Sequence, residues 1–257
     1  MKQMKRSLLT LSALTLLGLV VATTGTPLER IVQKETTPIV SRKIPSQQDL
    51  KAGTIKYQNE NIHYITINPE HFKLELFLGN NGLTFEDVQK KNPLAFVNGS
   101  FFNEDFSPHG LLISSYKKLS NKIKKSNSGV FFIEDEKADI KYDRRFNESG
   151  DYQFAIQGYP VLIYNNQLQK ISNDTRKTAR TVLGIDQNSE IILASSEYSY
   201  LKGLTLTEMA NLMHTDLNCE KAVNLDGGSS SQFYLRGRIE SKGGKDKISN
   251  YILISKK

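Results

Sequence analysis

With 257 residues, 38% of them hydrophobic, the chain has enough apolar material for one large domain or two small ones. Its formal net charge of +7 comes without a nucleic-acid motif or aromatics interleaved among the basic clusters, which argues against a nucleic-acid partner. A single cysteine, Cys219, excludes an internal disulfide framework, so stability must come from the core.

The chain opens with Lys2, Lys5 and Arg6, followed by an apolar run from Leu8 to Ala22. Val20 and Ala22 stand where small residues precede a cleavage site, so residues 1–22 read as a secretory signal peptide. An uncleaved anchor is the alternative, but the run is short for a full span. Removing it takes away three basic and no acidic residues, leaving 31 against 27 and a net charge of +4. The expected location is therefore secreted, periplasmic or in the cell envelope. Residues 23–50, rich in Thr, Pro, Lys and Gln, read as a linker or N-terminal arm.

Residues 51–257 read as the folded domain. Alternation predicts strands at Thr54 to Tyr57, Ile62 to Ile67 and Phe72 to Phe77, separated by Asn-rich turns. Thr84, with Asp87 three residues later, starts a short helix that ends before Pro93, and Leu94 to Val97 is a brief strand. Further strands are expected at Leu111 to Ser114, Val130 to Ile133, Phe154 to Ile156 and Val161 to Tyr164. Thr181 to Ile185 and Ile191 to Ala194 form a hairpin. A helix from Thr205 to about Asn218 carries a Thr205/Glu208 capping box and an apolar side. Cys219 reads as a small packed residue at its end. Lys221 to Val223 and Gln232 to Leu235 are strands flanking Asn224-Leu225-Asp226-Gly227-Gly228 and the serines Ser229 to Ser231. The expected class is α+β: a single β-rich domain, its mixed or antiparallel sheet packed by a few helices.

Four segments place polar residues at strand ends, where a rigid sheet can aim them into one cleft. They are Asn98-Gly99-Ser100-Phe101-Phe102 with Pro108-His109-Gly110, Gln157-Gly158-Tyr159-Pro160, Arg180-Thr181, and Asn224 to Ser229. Alone, the last is an ordinary Asp-Gly turn; its glycines also allow close approach of a ligand to backbone N–H groups.

Taken in order, these segments resemble the phosphodiester glycosidase family, whose members include the enzyme that uncovers mannose 6-phosphate by removing N-acetylglucosamine. The resemblance covers about residues 54–254. Two departures stand out: Ser100 where the family more often has glycine, and Ser195-Ser196-Glu197 in place of an Asp-Gly-Arg segment. It implies a hydrolase that cleaves the bond between a sugar's anomeric carbon and a phosphodiester oxygen, with a phosphorylated carbohydrate as partner and no cofactor.

Within that reading Asp226 is the catalytic carboxyl, and Arg180 meets the phosphate because a guanidinium fork matches its oxygens. His109 donates to phosphate or shuttles a proton. Asn98, Gly99, Gln157, Thr181, Asn224, Gly227, Gly228 and Ser229 form the substrate-binding set. Phe101, Phe102 and Tyr159 can stack on a sugar or pack in the core. Glycosidases ordinarily use two carboxyl groups, and Glu197, Asp174 and Glu104 are the candidates for the second. No His-x-x-x-His pair, paired cysteines or EF-hand loop suggests a dedicated metal site, and no Gly-x-Ser-x-Gly elbow suggests a serine hydrolase. A phosphoglycan-binding envelope module without turnover, and a phosphodiesterase cutting P–O, remain as alternatives.

Overall fold

A computed structural model describes residues 50–123 and 125–257. The expected signal peptide and all but the last residue of the expected arm lie outside them; that last residue, Leu50, already belongs to a strand. In chain order come β1 (Leu50–Tyr57), β2 (Glu60–Ile67), β3 (Phe72–Leu83), α1 (Phe85–Gln89), β4 (Ala95–Asn98) and β5 (Leu112–Ser114). They are followed by β6 (Lys117–Ser120), β7 (Gly129–Glu134), β8 (Lys137–Tyr142), β9 (Phe154–Gly158), β10 (Val161–Tyr164) and β11 (Gln167–Leu168). The last are β12 (Thr181–Asp186), β13 (Ile191–Ser196), α2 (Leu206–Thr215), β14 (Cys219–Asn224), β15 (Phe233–Leu235), β16 (Ile239–Ser241) and β17 (Ile248–Lys256).

Three sheets result: β1-β2-β13-β12-β14-β10-β11, β16-β15-β4-β17-β3 and β6-β5-β9-β7-β8. Every strand pairing among the described residues is antiparallel, which resolves the expected mixed or antiparallel sheet. Among the described residues strand far outweighs helix and only two short α-helices occur, so the expected α+β class reduces to a β-rich domain.

The side-chain period of two explains how the sheets share a core. Leu183 and Ile185 of β12, Ile191 and Leu193 of β13, and Ile65 and Ile67 of β2 point into a common apolar cluster. Phe131 and Ile133 of β7, Phe154 and Ile156 of β9, Val97 of β4, and Ile252 and Ile254 of β17 enter it from the other two sheets. The alternate residues of the seven-stranded sheet, Val182, Ile192 and Ala194 among them, face α2 through Met209, Ala210, Leu212 and Met213. Both faces of β12 and β13 are thus covered, which is why these strands read as nearly unbroken apolar runs.

The Thr205/Glu208 capping box is formed in full, and a second, Thr84/Asp87, opens α1. Each satisfies helix N–H groups that have no partner within the helix, a contribution of about 1 kcal/mol. α2 stops at Thr215 with Asp216 as its cap, three residues short of the predicted end; Asn218 follows with a positive φ of 52° and turns the chain into β14. Cys219 begins that strand fully buried against the α2 side of the sheet. Burial pushes its thiol far above the ordinary value.

Candidate functional site

The site forms where β4, β9 and β14 end and β12 begins. Asn98, the last residue of β4, is fully buried and binds three chain segments at once. Its Nδ2 donates to the Asp226 carbonyl at 2.7 Å, and its Oδ1 accepts from Thr181 Oγ1 at 2.7 Å and from Gln232 N at 3.0 Å. Thr181 Oγ1 also lies 3.1 Å from Ser195 Oγ. Asn98, Thr181 and the Asp226 turn therefore converge on one knot.

That turn rests on the segment leading into β12. Gly228 N donates to Ala179 O at 2.7 Å, with φ of +62° at Gly228, a conformation that glycine adopts without penalty. At Gly227 a Cβ would stand 2.7 Å from the same carbonyl, so no side chain fits there. Asp226 is held from three sides. Its N–H donates to Gly99 O at 3.3 Å, its Oδ1 accepts from Gly227 N at 2.9 Å, and its carbonyl accepts from Asn98 Nδ2. Burial raises its pKa, and this outweighs the lowering by Ser230, Gly227 and the positive charge of Lys245. Ser229 anchors the adjoining loop, its carbonyl accepting from Lys245 N at 2.9 Å.

A cleft of about 450 Å³ reaches Asn224, two residues before Asp226, while Asp226 itself is not among its lining residues. Phe101, Tyr159, Arg176, Arg180 and Asn224 are among the residues lining it. Phe101 and Tyr159 set their rings 5.2 Å apart at 52°, while Phe102 instead stacks on Phe106 at 5.8 Å. Asn224 is 4% exposed; its Nδ2 donates to Tyr159 O at 2.9 Å. Its Oδ1 has no hydrogen-bond partner among the described residues. A buried acceptor left this way costs about 1–3 kcal/mol and is rare in native proteins, so it marks a place where a donor is expected.

Arg180 lies largely buried at the cleft wall, but part of its fork is already used. Nε donates to Leu204 O at 2.9 Å and Nη2 to Arg176 O at 2.6 Å. Burial lowers its pKa, which Asp174 partly restores; the guanidinium stays charged at neutral pH all the same. Asp174 accepts from Leu206 N at 2.9 Å and Thr207 N at 2.6 Å at the start of α2. Burial raises its pKa, and those bonds together with Arg180 bring it below the ordinary value.

The remaining predicted residues sit differently. Gln157 is buried with its amide saturated: Oε1 accepts from Leu111 N and Ile123 N at 3.1 and 3.0 Å, and Nε2 donates to Ile123 O and Ser128 Oγ at 2.7 and 3.0 Å. Gly99 donates its N–H to Asn250 O at 2.9 Å. His109 is exposed on the loop after β4, and among the described residues its ring makes no hydrogen bond or ion pair with Asp226 or Arg180. Glu197 accepts from Asn61 Nδ2 at 3.0 Å and pairs with His63 Nε2 at 2.9 Å. Glu104 is exposed.

Sequence reasoning missed Asn250, whose Oδ1 accepts from Ser100 N at 2.9 Å and so braces the Asn98–Ser100 corner. It also missed Lys125, whose ammonium stands 3.5 Å from the centre of the Tyr159 ring. The alternating run Ile248 to Lys256 could have signalled the strand that carries Asn250.

The strand ends thus define a β-rich domain with a cation-lined, aromatic-walled cleft whose wall at Asn224 lies two residues before a carboxyl of raised pKa. The chain belongs to the phosphodiester glycosidase family, whose profile matches residues 91–255. Its fold is like that of the zebrafish N-acetylglucosamine-1-phosphodiester alpha-N-acetylglucosaminidase catalytic domain, solved auto-inhibited by its pro-peptide. That match has a TM-score of 0.64 and 18% identity, and covers 81% of this chain and 83% of that one. A hypothetical protein from Synechocystis matches with a TM-score of 0.58 and 14% identity, over 80% of this chain and 62% of its own. Among curated proteins, the uncharacterized protein YigE of Escherichia coli is 22% identical over 191 residues, or 67% of this chain and 73% of YigE.

Proposed function

We propose that this chain is an exported hydrolase of sugar-1-phosphate diesters, with Asp226 as its catalytic carboxylate. The observation that carries the reading is the placement of Asp226, fixed by Asn98, Gly99 and Gly227 two residues beyond Asn224, which lines a cleft that also offers Arg180. On a small opening of the cleft a hydroxyl of the sugar supplies the donor that the buried Asn224 Oδ1 lacks, and Arg180 with Arg176 lowers the cost of holding the phosphodiester charge. The aromatic pair Phe101 and Tyr159 offers a face to the sugar ring.

In the reaction, water attacks the anomeric carbon, the C–O bond to phosphorus breaks, and its electron pair leaves with the phosphomonoester. The Asp226 carboxylate takes the proton from water. A phosphate ester is a weakly basic leaving group, so it departs without a strong proton donor. This accounts for a site in which Asp174 and Glu197 are both committed to other bonds. The zebrafish relative is an N-acetylglucosamine-1-phosphodiester alpha-N-acetylglucosaminidase, which makes an N-acetylglucosamine-1-phosphodiester the first substrate to test.

The test is hydrolysis of that diester in oxygen-18 water. Label in the sugar is expected; label in the phosphate would replace this reading with P–O cleavage. Asp226→Asn is expected to lose about a hundredfold or more in turnover, and undiminished turnover would remove Asp226 from the mechanism. Because the carboxylate is the working form, activity should rise with pH through a limb lying above the ordinary aspartate range. Export through residues 1–22 is checked by N-terminal sequencing of the protein recovered outside the cytoplasm.

A further inference from the structure

The cleft that reaches Asn224 does not end at Tyr159. Ser126, Asn127, Tyr142 and Gln169 line both it and a second hollow of about 750 Å³, so the two form one trough. The second hollow is lined by Lys122, Lys125, Arg144 and Arg145 against one acid, Asp143. Lys122 is already occupied, pairing with Glu148 at 3.1 Å and donating to Asp143 O at 3.0 Å. The other three hold no ion pair with a described residue. Lys125 stands over Tyr159, Arg144 lies 5.4 Å from the centre of the Tyr142 ring, and Arg145 is exposed next to it on a short turn.

Cations crowded without counter-charges repel one another, and an anion laid between them relieves that cost. The floor between the two charged stretches is aromatic: Tyr142 packs against Tyr164 at 4.8 Å and donates its hydroxyl to Gln169 Oε1 at 2.8 Å. Along the trough, then, come a cationic wall (Arg180 and Arg176), an aromatic ring capped by Lys125, a second aromatic ring, and a second cationic wall. Such an alternation of charge and ring fits a ligand in which phosphates and sugars alternate.

We propose that the trough seats a polymer of sugars joined through phosphodiesters. Lys125, Arg144 and Arg145 form a second anion subsite that holds a neighbouring phosphate while Asp226 acts on the one beside it. The proposal rests on the hydrolase reading above and narrows its substrate from any glycosyl phosphodiester to a repeating one. Gln157 contributes at one remove, its amide bonding the backbone of Ile123 two residues before Lys125.

The experiment measures equilibrium binding and kcat/KM for a methyl diester of N-acetylglucosamine 1-phosphate and for a short oligomer of sugars joined by the same linkage. Wild type is compared with the double variant R144A/R145A. Wild type should bind the oligomer about tenfold more tightly than the monomer, and the gap should narrow with added salt. In the double variant the oligomer-to-monomer ratio should fall to about twofold. Melting temperature is recorded alongside, and two exposed substitutions should leave it in place. An oligomer preference lost in the double variant, without hydrolysis of either ligand, keeps the subsite and removes the hydrolase reading. Hydrolysis of both ligands with equal kcat/KM, unaffected by the double variant, keeps the hydrolase and overturns the subsite. Phosphatidylglycerol vesicles or single-stranded DNA that bind more tightly than the oligomer, and lose binding in the double variant, would overturn it in favour of a membrane or nucleic-acid surface.

Discussion

Asn98 and Asn224 are the same residue type, both buried, and both close a strand that runs into the site. Asn98 has spent its side chain: three segments are tied together by its amide, and Thr181 and Gln232 reach the same oxygen. Asn224 has spent only half, with Nδ2 on Tyr159 and Oδ1 without a protein partner at the cleft. The difference separates what builds the site from what the site offers. A saturated amide adds rigidity, whereas an unsaturated one leaves a vacancy that substrate can fill.

The sharpest way to break this comparison is Asn98→Ala. It strands the Gln232 N–H and the Asp226 carbonyl in a buried setting, and a loss of about 3 kcal/mol in urea unfolding is expected. A loss near zero would mean that water replaces the side chain and that the knot is not structural. Asn224→Ala should divide its effect the other way. The lost Tyr159 bond is offset by removal of the buried unpaired oxygen, so stability should change by less than about 1 kcal/mol, while kcat/KM for a glycosyl phosphodiester falls about tenfold. If stability falls and kinetics do not, Oδ1 has no substrate partner.

Asp226→Asn gives the smallest stability effect and has a definite sign. Because the folded pKa of Asp226 is raised, the wild type loses stability as pH climbs from the unfolded value through the folded one. The asparagine variant lacks that loss. It should therefore melt slightly higher than wild type at neutral pH and level with it below about pH 4, where aspartate is protonated in both states. A variant that melts lower at neutral pH would contradict the raised pKa.

Much of the frame was legible because its causes are local. Thr205 and Glu208 sit three residues apart, and both halves of the capping box form. Gly227 and Gly228 read as a turn, and the structure confines them to glycine by an approach to Ala179 and a positive φ. What stayed hidden depends on contacts between distant segments. Asn98 and Asn224 carry the same strand-end signal, and only their partners tell them apart. Arg180 read as a free fork, yet two of its donors belong to Leu204 and Arg176. Lys125 stands in a lysine-rich stretch of the sequence, and it is the fold that brings it over Tyr159. Beyond Leu235 no element was expected, yet β17 lies between β4 and β3 and carries Asn250 to the corner it braces.

Cys219 gives the molecule a built-in clock. It is the chain's only thiol, fully enclosed between α2 and the seven-stranded sheet, and burial keeps it protonated. A disulfide reagent added to the native protein can therefore react only when that layer opens, so labelling rates read the opening of the core without any engineered probe. Ligands that bind the folded trough should slow the clock in proportion to their occupancy, which would turn one inert sulfur into an assay for substrates not yet identified.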